Sequence, residues 1–211
     1  MPLLKKSDRE EVIARLLAGY PDASCALDFT TEYQLLVSVV LSAQTTDRSV
    51  NEVTPALFER APDAQAMLAL SPEEIQEYIR RIGMYRTKAD HIWNLSKMLV
   101  DKYGGEVPSQ YEQLIELPGV GRKTANVVLS VAFGEPRIAV DTHVFRLANR
   151  IGFAKEQDVL KTELALMKAI PKQQWSAMHH ALIYHGRQVC SAKKPSCGEC
   201  ILLGICARNG V

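Results

Sequence analysis

The chain has no run of about eighteen apolar residues, so no segment is suited to cross a bilayer as a helix. Its first residues, Met1 to Asp8 (MPLLKKSD), lack the apolar core of a signal peptide, and a cytoplasmic, nucleoid-associated protein is expected. Net charge is almost absent. Twenty-five basic against 24 acidic residues leave +1, which excludes a protein coated in cations, so any nucleic acid must be met through a local patch. No segment alternates convincingly as a strand, and neither an internal repeat nor a low-complexity tract is present. No His-Glu-x-x-His motif occurs, so His179, His180 and His185 read as helix-packing residues. Cysteine is scarce, five in all, yet four of the five fall between positions 190 and 206.

What is present is helix after helix, interrupted by one unusual turn. In Leu117-Pro-Gly-Val-Gly-Arg-Lys-Thr-Ala125, Gly119 and Gly121 allow positive φ and a close approach of the backbone to another molecule. A helix is expected from about Arg122. Its first N–H groups and the positive end of its dipole suit a phosphate, and Lys123 stands at the mouth of that anion site. The helix is apolar nearly all round. Only Lys123, Asn126 and Ser130 form a polar stripe, so Lys123 is expected to head a narrow seam on a buried helix. Asp141 follows 18 residues later, at the expected start of another helix. A twelve-residue helix rises roughly 18 Å, and the segment 134–140 can return about 23 Å, so the chain can bring Asp141 back to Lys123.

Other start signals punctuate the sequence. Ser7, Thr46 or Asp47, Ser71-Pro72-Glu73-Glu74, and Ser109 with Glu112 all read as helix caps, while Pro55 is expected to break or kink its helix. The cysteines Cys190, Cys197, Cys200 and Cys206 are spaced C-x6-C-x2-C-x5-C. Four thiolates in one loop suit tetrahedral zinc or an iron–sulfur cluster, and the spacing alone does not choose. Cys25 reads as a small buried hydrophobe.

LPGVGRKTANVVL, Val140-Asp141-Thr142-His143 and the cysteine loop together resemble the endonuclease III family of DNA-repair glycosylases, and LSAQTTD (41–47) and IGMYRTKA (82–89) extend the likeness. The resemblance implies an all-α, two-lobed helix-hairpin-helix glycosylase with a C-terminal iron–sulfur loop and a DNA groove between its lobes. Residues 25–134 would form a six-helix barrel carrying the hairpin at about 110–133, and residues 1–24 plus 135–211 the cluster domain. It chooses a [4Fe–4S] cluster for Cys190, Cys197, Cys200 and Cys206.

The implied activity is a bifunctional one: a monomer excises oxidised pyrimidines from duplex DNA and cleaves the abasic site by β-elimination. Lys123 would form a Schiff base at the sugar, and Asp141 would assist proton transfer and the developing sugar cation. Gln44 and Met84 match the gap-filling glutamine and the apolar wedge, although the family usually has leucine at the wedge. Gly119, Val120, Gly121 and Arg122, with Lys193 and Lys194 beside the cysteines, would contact DNA. A glycosylase without lyase activity is the alternative within the class, but those relatives lack the lysine. A non-catalytic, zinc-stabilised hairpin module is the alternative outside it.

Overall fold

A computed structural model describes residues 2–211. Among these the chain is all-α, with no strand. It divides into two compact units. One is Ala26–Gly134. The other joins Met1–Cys25, of which Met1 lies outside the described residues, to Glu135–Val211.

The continuous unit holds α2 (Glu32–Leu41), α3 (Asp47–Arg60), α4 (Ala64–Met67), α5 (Pro72–Ile79), α6 (Tyr85–Tyr103), α7 (Tyr111–Leu114) and α8 (Arg122–Phe133). The discontinuous unit holds α1 (Lys6–Gly19), α9 (Thr142–Ile151), α10 (Val159–Ala169) and α11 (Trp175–Gln188). Helix α2 is apolar nearly all round and buried throughout Tyr33–Leu41, so it is the core element of its unit, packed against α3, α6 and α8. Leu35, Leu36, Leu57, Ile75, Ile92, Leu95 and Leu99 are fully buried in that unit. Side chains of this size stabilise by about 1.5–3 kcal/mol each on burial. In the other unit α9 and α1 pack on α11 around Val12, Leu16, Leu147, Ile151, Met178 and Leu182.

Helix starts follow local chemistry. Thr31, Thr46, Asp63, Asp141 and Asp158 each accept a backbone N–H three residues on, and Ser71 with Glu74 closes a capping box. Two expected caps fail. Ser7 lies inside α1, bonded to Asp8, and α7 begins after Gln110 with no side-chain cap, so Ser109 does not serve it. Both helices begin from extended backbone at Lys5 and Gln110. Pro55 does not break α3, which runs through it. Cys25 is half-buried rather than buried.

Candidate functional site

The central turn is built by Pro118, Gly119 and Val120 after α7. Gly119 has φ +79°, and a Cβ there would lie 2.9 Å from Nδ1 of His91, so both the conformation and the packing require glycine. Gly121 differs from expectation. Its φ is −97° and ψ −179°, an ordinary extended conformation, and a Cβ there would meet nothing within 4 Å. Val120 is buried and its N–H donates to the Leu117 carbonyl at 3.0 Å, so it supports the turn from inside.

Helix α8 starts at Arg122 with no side-chain cap. Its first helical bond runs from the Ala125 N–H to the Gly121 carbonyl at 2.9 Å, so the N–H groups before Ala125 precede the helical ladder. Lys123 is exposed at this end, not buried as the sequence predicts, because the buried part of α8 begins at Ala125. Asn126 is buried and Ser130 half-buried on the same stripe. Arg122 is also exposed, with its guanidinium 5.6 Å above the Tyr111 ring and 3.3 Å from the tyrosine hydroxyl, a cation held in place at the turn.

Gln44 and Met84 stand out in the backbone. Each is left-handed, at φ 53° and 56°, and Arg208 is the remaining non-glycine residue of that kind among the described residues. A side chain in this region costs about 1 kcal/mol. Met84 is 50 % exposed and Gln44 is exposed as well, so two strained residues present their side chains outward. In the sequence only the family resemblance marks them.

In the other unit Asp141 is half-buried and caps α9: its Oδ1 accepts the Val144 N–H at 2.7 Å. Its charge bears on His143, whose pKa burial lowers while Asp141 raises it and Arg146 and Arg187 lower it further. The same helix grips the cysteine loop. Arg146 donates to the carbonyls of Gly186 (2.9 Å) and Cys190 (3.0 Å) and lies 3.2 Å from Nδ1 of His143. Arg150, buried, donates to the Ser191 carbonyl at 2.8 Å, the Ala192 carbonyl at 3.2 Å and the Cys190 sulfur at 3.4 Å. Lys193 and Lys194 are exposed on this loop, where Ser191 Oγ donates to the Lys194 carbonyl at 2.6 Å.

None of the four cysteines of the loop is in a disulfide. The sulfurs of Cys200 and Cys206 each receive a backbone N–H at 3.4 Å, from Leu202 and Arg208 respectively. Burial pushes both thiols up, the neighbouring cysteines add to this, and those N–H groups oppose it. Among the described residues no three His, Cys, Asp or Glu side chains converge tightly enough for a single metal ion. Four sulfurs in one short loop, two of them accepting backbone N–H bonds, form a donor set that fits an iron–sulfur cluster. His185, expected to be a packing residue, also takes part. It lies 3.5 Å from the Cys200 sulfur and 2.9 Å from the Tyr20 hydroxyl, and burial pushes it down to about 4. Arg146 and Arg150 escaped the sequence reading because their partners are long-range backbone and sulfur atoms.

Known proteins agree with this architecture. Residues 37–172 match the HhH-GPD superfamily of base excision DNA repair proteins, and residues 190–206 match the iron–sulfur binding domain of endonuclease III. The endonuclease III of Bacillus subtilis is 51% identical over 188 residues, 89% of this chain and 86% of its own. That of Escherichia coli is 45% identical over 203 residues, 96% of each chain. A solved endonuclease III, trapped as a covalent intermediate with DNA, superposes with a TM-score of 0.93 at 48% identity over 98% of this chain and 97% of that one. A non-covalent endonuclease III–DNA complex matches equally well. The cofactor that goes with the matched loop is a [4Fe–4S] cluster. With a hairpin turn, an exposed lysine at an open helix start and a cysteine loop of this kind, matched along nearly the whole chain, the protein belongs to the endonuclease III family of base-excision DNA repair enzymes.

Proposed function

We propose that Lys123 is the nucleophile of this enzyme and Asp141 its proton acceptor and electrostatic partner. The chain is a bifunctional DNA N-glycosylase and abasic-site lyase acting on oxidised pyrimidines. The observation that carries the residue assignment is the start of α8, where an exposed lysine follows a glycine turn and no side chain seals the helix end. Backbone N–H groups there, with Arg122, suit a phosphate of the damaged strand, which sets the sugar beside Lys123.

The steps follow from the groups. The free amine of Lys123 bonds to C1′ as the C1′–N bond to the base breaks, and the base leaves with that electron pair. The new ammonium gives a proton to Asp141, whose charge also favours the cationic character spread over the sugar. Asp141 returns that proton to the ring oxygen as the C1′–O4′ bond breaks, which leaves a protonated Schiff base. Its positive nitrogen withdraws electrons from C2′, the departed base anion takes the C2′ proton, the C2′–C3′ double bond forms as the 3′ phosphate leaves, and water then releases the lysine.

Gln44 and Met84 fill the gap left by the extruded base, since both are exposed and fixed in left-handed conformations beside helix ends. Cys190, Cys197, Cys200 and Cys206 hold the [4Fe–4S] cluster, which when bound staples the loop at four points. Stapled in this way, the loop holds Lys193 and Lys194 where they can meet backbone phosphate. Residues 26–134 act as the hairpin-bearing domain and the remainder as the cluster domain, working as a monomer on duplex DNA in the cytoplasm.

The test is incubation with a duplex holding one abasic site, plus borohydride. A covalent adduct with the wild type and none with Lys123→Gln is expected, while DNA binding by the variant largely survives because the turn and Arg122 remain. An adduct of normal yield with Lys123→Gln would remove Lys123 from its role.

A further inference from the structure

In the interior of the continuous unit stands a lysine that the reaction above does not use. Lys88, on the second turn of α6, is 3 % exposed and has no carboxylate partner among the described residues. Burying an ammonium without a counter-charge is unfavourable, and burial alone pushes its pKa below the ordinary lysine value. A methionine of the same length would fill the space at less cost.

The contacts of Lys88 show what it reaches. Its Nζ donates to Thr45 Oγ1 at 2.7 Å. The Thr45 hydroxyl donates in turn to the Ala43 carbonyl at 3.3 Å, and the Thr45 N–H to the Ser42 carbonyl at 3.0 Å. Between Ala43 and Thr45 sits Gln44 at φ 53°. A relay from ammonium to hydroxyl to carbonyl thus brackets the left-handed residue. At its other end, the Lys88 N–H donates to the carbonyl of Met84 at 3.0 Å, and Met84, at φ 56°, is the N-cap of α6. One residue therefore touches both strained turns, by side chain at one and by backbone at the other.

We propose that Lys88 is a positioning residue for base extrusion: it ties the turn that carries Gln44 to the helix start that carries Met84, so that the two side chains enter the duplex as a fixed pair. The inference rests on the reading of Gln44 and Met84 as the gap-filling pair. It differs from a plain structural tie in what it protects. A structural tie matters for folding, whereas a positioning tie matters when a base must be taken out of a paired stack.

The experiment measures single-turnover excision of 5-hydroxyuracil from two duplexes, one with the lesion paired and one with it in an unpaired bubble. The proteins are the wild type, Lys88→Met, Lys88→Arg, Thr45→Val, the Lys88→Met/Thr45→Val double variant, Gln44→Ala and Met84→Ala. Loss of one charge-assisted hydrogen bond predicts a fall of about tenfold or more on the paired duplex and less than about threefold on the bubble, for Lys88→Met and Thr45→Val alike. The double variant should be no worse than either single one, because the two residues serve one bond. Lys88→Arg, which keeps a donor, should recover part of the rate. Should Lys88→Met fail to fold, Thr45→Val carries the same expectation from a half-buried hydroxyl. Equal losses on both substrates, or losses that multiply in the double variant, would overturn the proposal. If Gln44→Ala and Met84→Ala discriminate between the substrates and the Lys88 and Thr45 variants do not, the proposal alone falls. If the Gln44 and Met84 variants do not discriminate either, the gap-filling reading falls and takes it along.

Discussion

Asp141→Asn separates the helix cap that the structure shows from the catalytic role proposed for the same carboxylate. Its Oδ1 accepts the Val144 N–H at 2.7 Å, and an asparagine oxygen does the same, because Asn caps about as well as Asp. What is lost is the negative charge at the N-terminus of α9, worth about 0.3–1 kcal/mol against the helix dipole. For a chain of this size that lowers Tm by no more than about 4 °C. Asp141→Ala is the control, since it also leaves the Val144 N–H without its cap and costs about 1 kcal/mol more. Loss of the charge is itself visible: His143, raised by Asp141 against the effect of its own burial, should titrate lower in Asp141→Asn by NMR. Excision should follow a different order from stability. If Asp141 is the proton acceptor proposed above, its removal costs about 10²–10⁴-fold in excision, and equally in Asn and Ala. Thermal melting and single-turnover excision with enzyme in excess give the two orders directly. Near-normal excision by Asp141→Asn, with His143 shifted as expected, would reduce Asp141 to a helix cap and refute its catalytic role.

Two further outcomes are expected. The protein purified without oxygen should be yellow-brown with about four irons per chain, and Cys197→Ser should lose iron and colour; full occupancy by zinc would contradict this. Gly119→Ala should destabilise by about 1 kcal/mol or more, from φ +79° and the 2.9 Å approach to His91, whereas Gly121→Ala should cost no more than what alanine loses against glycine as an N-cap, less than about 1 kcal/mol, and bind duplex DNA several-fold more weakly, as melting curves and DNA titrations would show.

Much of the fold is legible because it is local. The 3.6-residue periodicity of α9, the capping box at Ser71 and the cap at Thr46 are all short-range physics, and they form as the sequence predicts. The errors arise where a nearby competitor decides. Ser7 could cap a helix, but α1 already begins at Lys6, and Ser109 lies one residue too early for α7. Lys123 reads as buried because its helix is apolar, yet the first turn of α8 stands clear of the core and burial begins only at Ala125. Among the candidate site residues, the spacing of the cysteines is plain in the sequence, and the groups around them are not. Arg146 and Arg150 bond to backbone 40 or more residues away, and no periodicity marks them. Lys88 is hidden for the same reason. It looks like a surface residue of an amphipathic helix, and only the position of Thr45, 43 residues earlier, shows why it is buried.

The starts of α8 and α9 show how far folding alone accounts for these choices. Ser, Asp and Asn stabilise a helix start about equally, and Gly falls short by only a few tenths of a kcal/mol. Folding is therefore almost indifferent to which of them stands at position 121 or 141. At 141 the chain has the one choice that carries charge, with His143 and Arg146 within reach of its field. At 121 it has the one choice with no side chain, although the space for a Cβ is open. An aspartate there would cap α8 well, but it would set a carboxylate ahead of Lys123, at the place proposed for a phosphate. A serine would cover the N–H groups proposed to bind that phosphate. Glycine gives nearly the same helix and leaves its positive end bare. Where capping leaves the alternatives within about 1 kcal/mol of one another, the choice is open to chemistry, and on the reading proposed above glycine would suit an anion at the start of α8 and aspartate a cation at the start of α9.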